Sequence, residues 1–282
     1  EDHNLLVIGY KNGLIEIVID DEENILSVVD ILDKPTIPPD RKMINNFNEY
    51  NGKLYISTEY GISVYDLEAL EFGDTYFIGD LGAQINVIQT TVQEPYIFAA
   101  TSQNGVRRAM VNDDNLIDYQ NWIPPIVTGN FNGIQTLGDA IYVINNSNNV
   151  FRMTPEGDLT FLSSFADAIV DFKSYNNILT ITSRSTIQAY SSGYVLEASV
   201  NNLPDFNYQL QSGYAFNNNF YLGTTEIGLL KVPFGTNQAE QILPDGPLLN
   251  QSFAIDVSPG QLWTVFGEIT VNYNPYPLSY KG

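Results

Sequence analysis

The chain has 282 residues, 44% of them apolar and 12% aromatic, enough to fill the core of one large all-β domain. Its 33 acidic residues outweigh 12 basic ones, and the net charge of −21 is the reverse of the footprint that nucleic acid or an anionic membrane demands. With no cysteine and one histidine, disulfides, thiolate metal sites, thiol nucleophiles and multi-imidazole metal centres are excluded, and no apolar run is long enough to insert in a bilayer.

In chain order, one pattern recurs. A small or polar turn leads into an apolar-aromatic strand ending in Thr, Ser or Gly; a tight turn and an alternating strand follow. Its seven copies are residues 4–19, 51–67, 94–111, 138–154, 176–190, 218–232 and 260–273, spaced by roughly 40 residues, the span of one blade in a propeller. Within a copy the apolar residues alternate with period two, so that Ile62 and Val64 face one side and Ser63 and Tyr65 the other, as in half-buried strands. Asn12-Gly13 and Asn104-Gly105 mark hairpin turns, since both residue types tolerate positive φ.

Two further strands complete each unit. Inner strands are expected at 43–50, 85–92, 131–137, 169–175, 208–216 and 252–258, just before each hairpin except the first. Outer strands are expected at 25–29, 75–79, 159–164, 194–200 and 240–244, and are less clear in the third and seventh units. Leu67–Phe72 reads as at most one helical turn. The expectation is a single all-β domain over residues 1–282, a seven-bladed β-propeller whose first blade lacks its inner strand. That missing strand points to a lost preceding segment, and so to a piece of a longer multidomain chain.

The residues offer little reactive chemistry. His3 sits beside the N-terminus, without the packing that a catalytic base requires. A two-carboxylate glycosidase would place its acids on inner strands, where only Glu49, Asp171 and Asp256 fall. Asp171 with Asp256 is the pair to inspect, against the plainer reading that each caps a strand end or faces solvent. The acidic runs Asp20–Asn24 and Asn112–Asp118 are turn segments without the ligand spacing of a calcium loop. Arg107 and Arg108, with Arg152 and Arg184 on later blades, are candidates for a basic spot, although neighbouring strand residues point to opposite faces. No catalytic, cofactor-binding or metal-ligating residue is assigned, and no cofactor is expected.

The phrases at Leu6–Ile17, Leu54–Leu67 and Phe220–Val232 resemble the two-component regulator propeller repeat of Bacteroidetes proteins. The longer stretches at 4–18, 53–82 and 98–111 are similar to the N-terminal propeller of PorZ-like proteins of the type IX secretion system. That resemblance implies a non-enzymatic binding or scaffold module on the outer-membrane exterior. It also implies partners such as the sortase PorU, PorV and PorQ, and a role in delivering anionic lipopolysaccharide for cargo anchoring. Two other readings remain: a periplasmic glycan-sensing propeller of a hybrid two-component regulator, and a propeller glycosidase or lyase.

Overall fold

The computed structural model describes residues 5–10, 12–19, 25–31, 37–243, 252–258 and 261–266, in which 24 strands form seven antiparallel sheets. Blade 1 holds β1 (Leu5–Gly9), β2 (Leu14–Ile19) and β3 (Ile25–Asp30). Blade 2 holds β4 (Ile44–Tyr50), β5 (Lys53–Thr58), β6 (Gly61–Asp66) and β7 (Glu71–Tyr76). Blade 3 stops at β8 (Val87–Gln93), β9 (Tyr96–Thr101) and β10 (Val106–Met110). Blade 4 has β11 (Phe131–Leu137), β12 (Ala140–Asn145), β13 (Asn149–Met153) and β14 (Leu159–Ser164). Blade 5 has β15 (Ile169–Tyr175), β16 (Ile178–Ser183), β17 (Ile187–Ser191) and β18 (Val195–Val200). Blade 6 has β19 (Leu210–Phe216), β20 (Asn219–Thr224), β21 (Leu229–Pro233) and β22 (Glu240–Ile242). The backbone divides into two compact units, Glu1–Gln241 and Ile242–Gly282; the second holds the hairpin of β23 (Ser252–Ser258) and β24 (Gln261–Phe266).

In the first unit the sheets are stacked face to face, with the core between them. Each of five apolar clusters joins one blade to the next. Ile15 and Ile17 meet Ile56 and Tyr65 between blades 1 and 2, and Phe98 and Val106 meet Ile134 and Val143 between blades 3 and 4. Inner strands lie beside one another in sequence, β4 by β8, β8 by β11, β11 by β15 and β15 by β19. This packing corrects the expectation of half-buried strands. Ile62, Ser63, Val64 and Tyr65 are all buried, because a middle strand is covered by a neighbouring blade on both faces. The arrangement is a β-propeller, and among the described residues its first blade carries no strand inside β1.

The repeating Thr or Ser has a local cause. Thr58, Thr101 and Thr224 donate their hydroxyls to the carbonyls of Gly61, Gly105 and Gly228, and each accepts a backbone N–H within the turn. Ser183 makes the same pair of bonds with Thr186, and Asn145 accepts from Ser147 and Asn149 in blade 4. A side chain thus satisfies turn amides that the ladder leaves over. In the Asn-Gly turns glycine takes the positive φ, +90° at Gly13 and +79° at Gly105, while the preceding Asn does not; in blade 4 Asn148 takes it, at +57°. The paired-positive geometry belongs instead to the hairpins joining inner and second strands, at Asn51-Gly52, Asn176-Asn177 and Asn217-Asn218.

Two boundaries differ from expectation, and blade 3 is shorter than blades 2, 4, 5 and 6. The outer strand of blade 2 is Glu71–Tyr76, several residues earlier than the apolar run indicates. Leu67–Leu70 is a turn rather than a helical one, held by Asp66 Oδ1 accepting from Glu68 and Ala69 N–H. Blade 3 has no fourth strand; a short 3-10 helix at Tyr119–Trp122 follows β10, and only Val127 bridges back to Val106.

Candidate functional site

All the inner strands share one irregularity. Register slips by a residue near the start of β4, β8, β11, β15, β19 and β23, leaving one unpaired residue there. In blades 2 to 5 the bulged residues are Asn45, Ile88, Asn132 and Val170, and all four line one cavity of about 120 Å³. Along the same strands a larger cavity of about 500 Å³ is lined by residues of blades 1, 2, 4, 5 and 6, among them Val7, Asn48, Gln135, Lys173, Tyr175 and Tyr214. Asn46 lines both.

Polar side chains between the cavities bind neighbouring blades. Asn45 Nδ2 donates to Asn86 Oδ1 and the Val87 carbonyl at 2.8 and 2.7 Å. The buried Gln89 amide accepts from Ile134 N–H and donates to the Phe172 carbonyl, each at 2.9 Å, so one side chain of blade 3 holds blades 4 and 5. Gln135 Oε1 accepts from Ser174 N–H at 3.2 Å. Asp171 Oδ2 accepts from Gly213 N–H at 3.1 Å and pairs with Lys173 Nζ at 2.8 Å. Two amide atoms on the wall, Asn46 Oδ1 and Asn48 Nδ2, are buried with no hydrogen-bond partner among the described residues. Beside the larger cavity the rings of Tyr175, Tyr214 and Phe216 cluster with centroids 5.5 to 6.4 Å apart.

The two candidate acids whose side chains are described are engaged separately. Asp171 is engaged as described, and Glu49 Oε1 accepts from Gly52 N–H, closing its own hairpin. Asp256 lies on β23 with its side chain outside the described residues, as are His3 and the run Asp20–Asn24. In the other acidic run, Asp113 and Asp118 accept from the amides of Asn115 and Gln120, holding turns.

The arginines make no basic spot. Arg107 is 2% exposed and pairs with Asp80 at 2.8 Å, tying blade 3 to the loop leading out of blade 2. Arg108 points the opposite way, its guanidinium 4.2 Å above the Tyr96 ring and donating to the Pro155 carbonyl of blade 4. Adjacent residues on one strand therefore clamp blade 3 to both neighbours, while Arg152 and Arg184 stand exposed elsewhere.

Two features were invisible in the sequence. Trp122, fully buried, drops from the loop after β10 into the core between blades 2 and 3 and donates Nε1–H to the Leu116 carbonyl at 2.9 Å. Tyr142, Tyr194 and Tyr190 stack at 5.8 and 4.0 Å between blades 4 and 5. Burial pushes all three phenols above their ordinary value of 10.0.

Residues 1–123 match the family model described as the N-terminal β-propeller domain of PorZ, of the type IX secretion system. Among solved structures the chain is similar to PorZ of Porphyromonas gingivalis, described as an essential bacterial surface component of that system. The TM-score is 0.65 at 20% identity, over 95% of this chain and 35% of that one. It is similar in fold to a chain of the mitotic checkpoint complex, with TM-score 0.62 and 11% identity over 86% of this chain and 76% of that one. BamB from Moraxella catarrhalis follows with TM-score 0.53 and 11% identity, over 82% and 70%. No curated protein matches the sequence. The match to the PorZ N-terminal propeller model thus covers the first 123 residues, and the chain spans about a third of the PorZ chain it resembles.

Proposed function

We propose that this PorZ-related propeller is a non-enzymatic docking module of a type IX secretion attachment complex on the outer-membrane exterior. In that setting it takes part in delivering anionic lipopolysaccharide for cargo anchoring, beside a PorU-type sortase and PorV- and PorQ-like proteins. One observation carries the non-enzymatic part: the inner-strand carboxylates whose side chains are described, Glu49 and Asp171, are spent on backbone amides and a lysine. A retaining or inverting glycosidase instead needs two carboxyl groups facing each other across a free cleft. The family match over residues 1–123 supports the secretion setting. Among the described residues no helix is long and apolar enough to cross a membrane.

The test is deletion of this domain from the full-length protein in its own cell. Loss of the partner proteins from an affinity-purified complex, with less cargo anchored at the surface, is expected. An unchanged complex and unchanged anchoring would overturn the proposal. A glycan-sensing role is the second reading, favoured by the aromatic cluster and the two unpartnered amides beside the larger cavity.

A further inference from the structure

Blade 3 lacks what blades 2, 4, 5 and 6 possess, a fourth strand. Its last strand, β10, is closed on the outside at one end only, where Val106 N–H and C=O bond to Val127 and Ile126. Alternation then turns the N–H and C=O of Arg108 outward, two residues along, where no described residue pairs with them. The chain passing outside cannot donate to the Arg108 carbonyl through Pro124 or Pro125, which have no N–H, and Trp122 draws the loop toward blade 2.

What remains is a slot of about 340 Å³ between β10 and the passing loop, lined by Tyr96, Arg108, Met110, Ile123, Pro124 and Ile126. Its open walls mix apolar side chains, Met110 47% and Ile123 37% exposed, with the polar Arg108 and Asn121. On the blade 4 side, Phe161 of the outer strand is 58% exposed on the face that elsewhere in that sheet packs against blade 3. Acidic residues lie next in the chain to residues at the slot: the backbone N–H of Asp113 donates to the Met110 carbonyl, with Asp114 following, and Glu156 follows the Pro155 that receives Arg108. The cation of Arg108 is already held by Tyr96 and Pro155.

We infer that this slot receives an extended segment of a partner protein, carrying alternating apolar and basic side chains, as the missing outer strand of blade 3. The outward N–H and C=O of Arg108 select extended backbone, the side chains of Met110, Ile123 and Ile126 select apolar inward residues, and the acidic residues near β10 select lysine or arginine outside. The slot exists whichever assembly the domain serves, so failure of the secretion proposal leaves this inference standing, and the reverse.

The experiment titrates the full-length protein with an alternating lysine–valine hexapeptide, its glutamate–valine counterpart, and a lysine–valine version N-methylated along one backbone edge. Saturable binding of the first alone is expected, together with slowed hydrogen exchange at the Arg108 amide. Met110→Asp and Ile123→Asp, both at exposed positions, are expected to weaken it by at least about tenfold. Equal binding of the N-methylated peptide would show attraction to the acidic surface without strand addition and would overturn the inference. So would binding unaffected by both substitutions in proteins that retain the parent melting profile.

Discussion

Blade 5 carries four strands, and its outer strand β18 buries Ala198 and Val200 against blade 6. Blade 3 ends at three, and a loop delivers Trp122 to the core on its blade 2 side. A loop can therefore replace the apolar cover that an outer strand provides, since burial has no direction. It does not replace the ladder, which requires donors and acceptors in register, and here two prolines stand in the way. Blade 3 is instead fastened sideways by Arg107 to the blade 2 loop and by Arg108 to blade 4.

The strongest way to break this contrast is Trp122→Ala, expected to cost about 3–5 kcal/mol in a denaturant melt, as large-to-small changes of buried aromatics do. Leu179→Ala in blade 5, equally buried, is expected to cost about 2–5 kcal/mol. If the tryptophan change proved nearly silent, the loop would not be what closes blade 3. Asp80→Ala comes next, at about 1–3 kcal/mol, because it strands a buried guanidinium. Asp80 itself is largely solvated, so the lower half of that range is favoured. Gly105→Ala should exceed about 1 kcal/mol, since φ is +79° there and a Cβ would collide with the Val127 carbonyl that forms the single bridge. Thr101→Val and Thr224→Val remove equivalent turn caps in blades 3 and 6, at about 0.5–1.5 kcal/mol each; a clear inequality would show that one blade leans on its turn more than the other.

A last comparison is silent at neutral pH. The Tyr142–Tyr194–Tyr190 stack has phenol pKa values raised by burial in the folded state. Its contribution is therefore complete below the unfolded value near 10 and lost as pH climbs through the folded values. Melting temperature should fall steeply only above about pH 10, and Tyr194→Phe should blunt that fall. A tyrosinate titration with every phenol ionising together near 10 would contradict it.

Much of the architecture was legible because local needs repeat with the blades. The hydroxyl that ends the second strand of blades 2, 3, 5 and 6 caps a turn, and asparagine, paired with itself or with glycine, supplies the positive φ of the neighbouring hairpins at 51–52, 176–177 and 217–218. Less was legible where partners lie far apart. Gln89 reads as an ordinary strand residue, and its bond to Phe172 joins positions 83 apart in the chain. The outer strand of blade 2 was misplaced because Gly73 and Asp74 sit in its middle, residues that local preference assigns to loops. The missing strand of blade 3 was seen only as a silence, since nothing local shows that Trp122 has taken over its cover.

The slip near the start of each inner strand has an evolutionary reading. It keeps its place although its residue is Asn45 in one blade, Ile88 in the next, then Asn132, Val170 and Gln211. Backbone geometry there does not depend on side-chain identity, so the bulge itself leaves these positions open to substitution. Except at Asn45, whose amide ties blade 2 to blade 3, a lineage can rewrite the lining of the small cavity one blade at a time.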